Sequence, residues 1–145
     1  MISLLANYFL CGALQVGSSS FPLLLAPVGA SAVLVFTAPE SSVSQPWPVI
    51  AGSMISATFG VAIAHLVADP AWAAAIAVSG AILITSGLRC LHPPGGAAAL
   101  LAVVGGPVVH SQGYWFAVTP IGINATILVG TAIVFRSVVP GFYSR

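Results

Sequence analysis

Two ionisable side chains lie beside a helix-breaking run in an otherwise apolar stretch of chain. Arg89 and His92 come just before or at the start of the sequence HPPGG, residues 92–96. Proline removes a backbone donor and glycine tolerates non-helical torsions, so a helix is predicted to break here and a new one to begin near Gly95. The first amides of a helix lack intrahelical acceptors and, together with the helix dipole, attract anions. The residue types therefore predict a binding site for a small anion.

Each residue of this stretch has a predicted role. The backbone amides of Gly95, Gly96 and Ala97 are expected to coordinate the anion, and Arg89 to supply compensating charge. His92 is expected to couple protonation to transport, because the ordinary pKa of histidine lies near neutrality. Arg89→Ala is accordingly expected to abolish anion flux. A structural interpretation stays open, in which the prolines only begin a helix, His92 bonds to a loop, and Arg89 reaches lipid headgroups.

A similar sequence that lacks the arginine and the histidine lies earlier in the chain. A shift of 67 residues places PVGASAVL (27–34) over PGGAAALL (94–101), and also brings the two Ser-Gln pairs into register. The matching order of apolar segments and polar loops indicates two internal repeats, about 1–67 and 68–145.

The copy predicts a second broken helix, beginning at residues 28–31. The amides of Gly29 and Ala30 and the hydroxyl of Ser31 are therefore added to the predicted site. Paired discontinuous helices at corresponding positions of two repeats are a sequence signature of transporter sites.

The composition requires a membrane environment for these elements. Of the 145 residues, 59% are hydrophobic and 3% are charged, and no lysine is present. A soluble chain of this length needs far more polar surface. The net charge of +1 gives no indication of a nucleic-acid partner. Cys11 and Cys90 have no metal-ligand or CxxC spacing, and no catalytic constellation is present, so no cofactor and no enzyme activity are predicted.

Apolar segments alternate with short polar links along the whole chain, which is predicted to be one transmembrane domain, residues 1–145. Asp69 and Pro70 are predicted to form a tight turn between two antiparallel helices. The apolar segments are 2–17, 21–38, 49–68, 71–88, 94–104 and 114–135, and the polar loops are 39–48 and 105–113.

The predicted fold is an all-α membrane protein, a helical bundle of two internal repeats with discontinuous half-helices that are either broken or re-entrant. If they cross the membrane, the chain has six spans; if they re-enter, it has four. In the six-span interpretation Arg89, Arg136 and Arg145 share one face and Asp69 lies opposite, as the positive-inside rule favours. Six segments are therefore favoured over four spans.

Three motifs carry a family resemblance. LRCLHPPGGAAALLAV (88–103) resembles the signature of the HPP family of integral membrane proteins, and APVGASAVLVF (26–36) and SQPWPVIAG (44–52) resemble its other characteristic segments, in the expected order. The resemblance covers nearly the whole chain. Two residues depart from the family pattern. Trp47 stands where a basic residue is expected, and Ser53 stands where histidine is common.

The resemblance implies transport of a small inorganic anion. Some chloroplast and cyanobacterial members are associated with nitrite, so nitrite is the expected substrate and nitrate the next. The implied location is the bacterial inner membrane, or the chloroplast envelope for a plant source. The small-residue helix faces predict a homo-oligomer in the lipid bilayer. The alternatives are a non-transporting membrane scaffold or sensor and, third, a proton or cation pathway.

Overall fold

The computed structural model describes residues 21–138, with side chains described from residue 26, and all regular structure in that range is helical. Each predicted apolar segment in the range corresponds to a helix, and the predicted segment 2–17 lies outside the described residues. A 3₁₀ turn at Ser42–Ser44 lies between the first two helices. The helices are α1 (Phe21–Thr37), α2 (Pro48–Leu66), α3 (Pro70–Gly87), α4 (Pro93–Val104), α5 (Gly106–Gln112) and α6 (Ala117–Val138).

The number of membrane crossings follows from helix length and composition. Within residues 21–138, the helices α2, α3 and α6 are long and apolar enough to cross a membrane, and the bent pair α4–α5 counts as a possible fourth. Large apolar side chains on their outer faces are exposed, among them Leu83 at 73% and Trp72 at 69%. An all-helical membrane protein is therefore confirmed, whereas the six-segment arrangement and the two repeats stay predictions.

The first helix is continuous, which corrects one prediction. Pro27 lies inside α1, and residues 28–31 belong to the helix interior rather than to a new helix start. Proline removes one helical hydrogen bond, but leaving the helix in an apolar environment would free several backbone groups at once. The predicted half-helix start at 28–31 is therefore wrong, because the helix continues through Pro27.

The predicted polar loop 105–113 is also wrong. Most of it forms α5, which is bent by 100° from α4. The bend occurs at Gly106, whose φ is +74°, and α5 is followed directly by Gly113, whose φ is +52°. Pro107 fits the first turn of α5 because that position needs no donor. Gly106 and Pro107 therefore begin a short helix and Gly113 follows its end, whereas the sequence analysis interpreted them as parts of a loop.

The predicted turn between α2 and α3 is confirmed. Oδ1 of Asp69 accepts hydrogen bonds from the amides of Ala71 (2.9 Å) and Trp72 (3.0 Å), and Pro70 occupies the first helical position. Aspartate as an N-cap, followed by proline, is a strong start signal for a helix. The two helices accordingly form an antiparallel hairpin.

Wide helical turns begin both α2 and α6. Pro48–Gly52 and Ala117–Gly122 are π-helical, and Thr119 within the second has extended torsions. Such turns are uncommon and occur frequently at functional sites. Each of them leads directly into a polar residue that faces the interior of the bundle, Ser53 in α2 and, two positions into the regular helix, Asn124 in α6.

Close packing joins α2 to α4. A Cβ added to Gly60 would lie 2.5 Å from the carbonyl oxygen of Ala99 and 2.8 Å from its Cα, so only glycine fits at this contact. Small residues of this kind let helix backbones approach closely in membranes, where burial of apolar surface drives association weakly. The helices α2, α3 and α4 form one tightly packed group, against which α1 and α6 lie.

One end of the bundle is defined by His92. Nδ1 of His92 lies 2.7 Å from the carbonyl oxygen of Val43, just before α2. Nη2 of Arg136, near the end of α6, donates to the carbonyl oxygen of Val35 near the end of α1, at 2.9 Å. This end, called the His92 end below, also carries Arg89 in the link between α3 and α4.

The opposite end is defined by His65. The ring centroids of His65, at the end of α2, and Tyr114, just before α6, are 6.3 Å apart. Asp69 lies in the turn that follows α2, so it belongs to this end, called the His65 end below. The helix α4 begins at the His92 end and leads through α5 to Tyr114. It therefore carries the chain from one end of the bundle to the other.

Candidate functional site

The imidazole of His92 is buried and bonded at both ring nitrogens. It is 2% exposed. Nδ1 lies 2.7 Å from the carbonyl oxygen of Val43, and Nε2 lies 2.8 Å from Oγ of Ser31. Because a carbonyl oxygen only accepts, Nδ1 carries the hydrogen, and in the neutral ring Nε2 accepts the hydroxyl hydrogen of Ser31. The structure thus joins two of the predicted site residues by a direct hydrogen bond.

The neutral form of this ring is favoured by its surroundings. His92 precedes α4 and lies outside the spanning helices. Burial lowers the pKa of its imidazole, and the hydrogen bond to the Val43 carbonyl offsets part of that shift. The ring is therefore neutral at neutral pH unless a negative charge comes to lie beside it.

At the start of α4, one of the predicted amides is already engaged. Pro93 and Pro94 have no N–H, and the N–H of Gly95 donates to the carbonyl oxygen of His92 at 2.8 Å. A Cβ added to Gly95 would lie 2.9 Å from Oγ of Ser56, so α2 fills the space in front of this backbone. The amide of Gly95 is therefore already bonded and covered by α2, and anion coordination by the amides of Gly96 and Ala97 stays a prediction.

The other predicted amide residues face different parts of the molecule. Gly96 is half-buried and faces α3, where an added Cβ would lie 3.8 Å from Val78. Ala97 and Ala30 are exposed. Gly29 is half-buried in the interior of α1, where amides bond within the helix. The structure does not bring these four residues to a common cavity.

Arg89 ends α3 rather than entering the bundle. Its φ is +53°, and its N–H donates to the carbonyl oxygen of Ser86 at 3.1 Å, while the N–H of Cys90 donates to that of Thr85 at 2.9 Å. A left-handed residue with these bonds is a common C-cap, although glycine is the usual residue there. The side chain is exposed at the His92 end, outside the cavity described next.

A small, mainly apolar cavity with three polar side chains at its wall lies between α1, α2, α4 and α6. Its volume of about 20 Å³ accommodates one water-sized group. The polar side chains at its wall are Ser31, Ser53 and Asn124, each no more than 6% exposed. The cavity is lined by Pro27, Val28, Ser31, Ser53, Ala98, Ile121, Asn124, Ala125 and Leu128.

Two of these polar residues were missed by the sequence analysis as site residues. Ser53 and Asn124 each lie in an apolar segment, where a buried polar side chain is a signal of function, but other polar residues such as Ser56 and Thr126 lie close by. Ser53 is also one of the two departures from the family pattern, so that departure falls on the cavity wall. The other departure, Trp47, is 63% exposed and lies away from it.

A second cavity lies at the His65 end. Its volume is about 120 Å³, and it is open between the end of α2 and the corner formed by α4 and α5. Nε2 of His110 donates to the carbonyl oxygen of Val103 at 2.9 Å, which holds this ring at the cavity wall. The lining residues are Val61, Ala64, His65, Ala102, Val109, His110 and Gly113.

The two cavities lie along the same faces of α2 and α4. Ala98 lines the first cavity and Ala102 lines the second, one helical turn apart on α4. On α2 the positions Ser53, Ala57 and Val61 repeat at intervals of four residues, with the buried Ala57 between the two lining residues. We call the positions 53, 57, 61, 98 and 102 the inner stripe.

An apolar cluster closes the space between the cavities. Its largest member, Phe116, is fully buried. The members are Ala57, Val61, Ala98, Leu101, Ala102, Val109, Phe116, Ala117 and Ile121. Among residues 21–138, no group of three or more His, Cys, Asp or Glu side chains is placed to hold a metal ion.

A known family matches nearly the whole chain. The model of the family described as "HPP, transmembrane region" matches residues 1–142. No solved structure matches the chain.

Two curated relatives are transmembrane proteins of Dictyostelium discoideum. One is 38% identical over 119 residues, which cover 79% of this chain and 41% of the relative. The other is 36% identical over 118 residues, covering 79% of this chain and 38% of the relative. The chain thus spans about two-fifths of the length of these relatives.

Proposed function

The chain belongs to the HPP transmembrane family, and we propose that it transports a small monovalent anion, nitrite first and nitrate next. The observation that carries the proposal is the inner stripe. It runs from the first cavity, whose polar side chains are Ser31, Ser53 and Asn124, to the second cavity at the His65 end, and the apolar cluster separates the two. A transporter needs such a site, reached from each side in turn, near the middle of the bundle.

The chemistry of the first cavity suits an anion better than a cation. Its polar wall is made of hydroxyl groups and a carboxamide, which offer hydrogen-bond donors, and no carboxylate lines it. The volume of about 20 Å³ limits the substrate to a few heavy atoms, even if the cavity widens slightly. In place of the predicted amides, the donors are the side chains of Ser31, Ser53 and Asn124.

The charged residues indicate how the protein is oriented in the membrane. Arg89 and Arg136 lie at the His92 end and Asp69 lies at the His65 end. Under the positive-inside rule the His92 end faces the cytoplasm. We infer that α4 and α5 together cross the membrane once, which agrees with the six-span interpretation. We also infer that the chain contains the two internal repeats and that it forms a homo-oligomer.

Transport is tested with the purified protein in liposomes. Sodium nitrite uptake is measured for the wild type, for Asn124→Leu, and for Thr126→Ala as a control on the same helix that does not line the cavity. We expect Asn124→Leu to slow uptake about tenfold or more, because a hydrogen bond to a charged group is worth about 1.5–3 kcal/mol. Thr126→Ala is expected to transport as the wild type.

A non-transporting scaffold or sensor is the second candidate, favoured by the tight packing of Gly95 and Gly60 against neighbouring helices. In that case liposomes with protein take up nitrite no faster than protein-free liposomes, and no anion raises the melting temperature. Equal uptake by the wild type and Asn124→Leu, well above that of empty liposomes, would instead reject the first cavity as the site.

A further inference from the structure

The hydrogen bond between His92 and Ser31 has a consequence for the proposed anion site. We propose that one proton is taken up with each bound anion, at Nε2 of His92, and that the Ser31 hydroxyl transmits this protonation to the cavity. The inference rests on the proposed function, since it names the second transported species of the same site. Proton and anion would then cross together without net charge.

While His92 is neutral, the hydroxyl hydrogen of Ser31 points to the imidazole and not into the cavity. Val43 fixes the hydrogen of His92 on Nδ1, at 2.7 Å, so Nε2 has only a lone pair to offer. The hydroxyl of Ser31 therefore donates to Nε2 across 2.8 Å. Although Ser31 lines the cavity, its hydrogen is committed to the imidazole, and its oxygen lone pairs would repel an anion.

Protonation reverses the direction of this bond. A proton from water binds the lone pair of Nε2, which then donates to Oγ of Ser31, while Nδ1 still donates to Val43. The hydroxyl hydrogen of Ser31 is released and can turn to an anion in the cavity that Ser31 lines. An anion attracts both this hydrogen and the imidazolium charge.

The charge of the imidazolium has no other partner among the described residues that pack around it. Ser31 of α1, the Val43 carbonyl and Gly52 of α2 are neutral, and no carboxylate is bonded to His92. Cys90, two residues earlier, is buried and its pKa is raised by burial, so it stays a neutral thiol. Arg89 and Glu40 are exposed.

The remaining titratable groups are held elsewhere. Arg136 is bonded to the carbonyl of Val35 at the end of α1, and Asp69, His65, His110 and Tyr114 lie at the His65 end. An anion in the first cavity is thus the charge that compensates protonated His92. By linkage, the anion strengthens proton binding and the proton strengthens anion binding by the same factor.

The test measures protons taken up on binding, in detergent solution without added buffer. Sodium nitrite is titrated into the wild-type protein while a pH dye follows the solution, and a calorimeter follows nitrite binding. Between about pH 7 and pH 8 we expect about one proton taken up per nitrite, with an affinity that weakens up to tenfold per pH unit. His92→Gln, which keeps a polar side chain, should bind nitrite without proton uptake.

Two serine variants separate coupling from binding. Ser31→Ala removes the hydroxyl that links the ring to the cavity, so proton uptake per bound nitrite should fall at least twofold, and Ser31→Thr should restore it. Ser53→Ala removes a hydroxyl of the same cavity that is not bonded to His92, so it should weaken binding and keep the proton stoichiometry.

The outcomes distinguish the two proposals. Nitrite binding without proton uptake in the wild type overturns the coupling and leaves the proposed transport standing. Uptake that persists in His92→Gln overturns the assignment to His92. The absence of nitrite binding at any pH, with no uptake into liposomes, overturns both.

Discussion

The start of α4 has a strong sequence signal and a structural role, whereas the first cavity has a weak sequence signal and contains the proposed binding site. The run from Arg89 to Gly96 combines charge, proline and glycine, yet most of it caps α3 or packs α4 against α2. The cavity is lined mainly by ordinary apolar residues, with single polar side chains such as Ser53 and Asn124. The one residue that links both regions is His92, which begins α4 and bonds to Ser31 at the cavity wall.

Helix-breaking residues and ligand-binding residues need not coincide in a membrane bundle. Prolines in series remove the very amides that a helix start would offer to an anion, and glycine here is required by the approach of a neighbouring helix. A buried polar side chain in a span, in contrast, is costly unless it has a use. Variants in the two regions should therefore affect different properties, stability in the first and flux in the second.

The largest effect is expected for Gly95→Val in the packed region. Its new Cβ would lie 2.9 Å from Oγ of Ser56 and 3.2 Å from the carbonyl oxygen of Gly52, so α2 and α4 must separate. We expect the free energy of unfolding to fall by about 3 kcal/mol, as for an overpacked core. Denaturant titration in detergent measures it.

The matched control is Gly96→Ala, whose Cβ meets Val78 at an ordinary distance of 3.8 Å. Replacing glycine by alanine in a helix with space available should raise the free energy of unfolding by about 0.5–1 kcal/mol. Equal losses for both variants would contradict the packing role assigned to Gly95.

The next largest loss of stability is expected for His92, which begins α4 and bonds to Ser31 at the first cavity. His92→Leu keeps a similar volume but leaves the Val43 carbonyl and Ser31 without their partner, so we expect a loss of about 2 kcal/mol in the free energy of unfolding. His110→Leu removes one hydrogen bond at an exposed position and should cost less than about 1 kcal/mol. Thermal unfolding of both proteins in one detergent checks the order, and a reversed order would show that His92 does not hold the bundle together.

A smaller effect is expected from pH. Burial lowers the pKa of His92 in the folded protein, so the unfolded chain binds a proton at higher pH than the folded one does. The stabilisation is therefore complete above the ordinary histidine pKa and is lost as pH falls below about 6.5, by at most about 1.4 kcal/mol per pH unit.

The measurement compares unfolding at several pH values for the wild type and His92→Gln. The variant should show a shallower dependence, and added nitrite should restore part of the wild-type stability in acid. A wild-type protein that becomes more stable on acidification would refute the assignment of a lowered pKa.

The smallest effect is expected at Arg89. Its φ of +53° suits glycine, so Arg89→Gly should raise the free energy of unfolding by about 0.5–1 kcal/mol. Because the side chain is exposed outside the cavity, Arg89→Ala should slow nitrite uptake by about twofold at low salt and have no effect at high salt, where charge is screened. Complete loss of uptake in Arg89→Ala would restore the role first predicted from the sequence.

Most of the described fold could be predicted from the sequence because membrane helices leave strong local signals. The predicted segments 49–68 and 71–88 differ from α2 and α3 by only a residue or two at each end. Apolar length sets these bounds, and Asp69 with Pro70 fixes the turn between them. The helix α5 was missed because Gly106 and Pro107 signal a break just as well as they signal a helix start.

The site could be predicted only in part, because its members come from four helices. His92 and Ser31 were placed together by the repeat pattern, and their hydrogen bond of 2.8 Å agrees with that grouping. Ser53 and Asn124 lie 71 positions apart, and no local pattern relates them or distinguishes them from the other polar residues of their helices. Only the packing of α2 against α6 brings both to one cavity.

The hydrogen bond from Arg136 to the Val35 carbonyl, 2.9 Å long, has a mechanical consequence. It fastens the end of α6 to the end of α1, so these two helices are expected to tilt as one body, while the glycine contact at Gly60 holds α2 and α4 in another. The first cavity lies along the boundary of the two bodies, and the bond between Ser31 and His92 crosses it. A rocking motion about this boundary would expose the cavity to each side of the membrane in turn while both bodies stay intact.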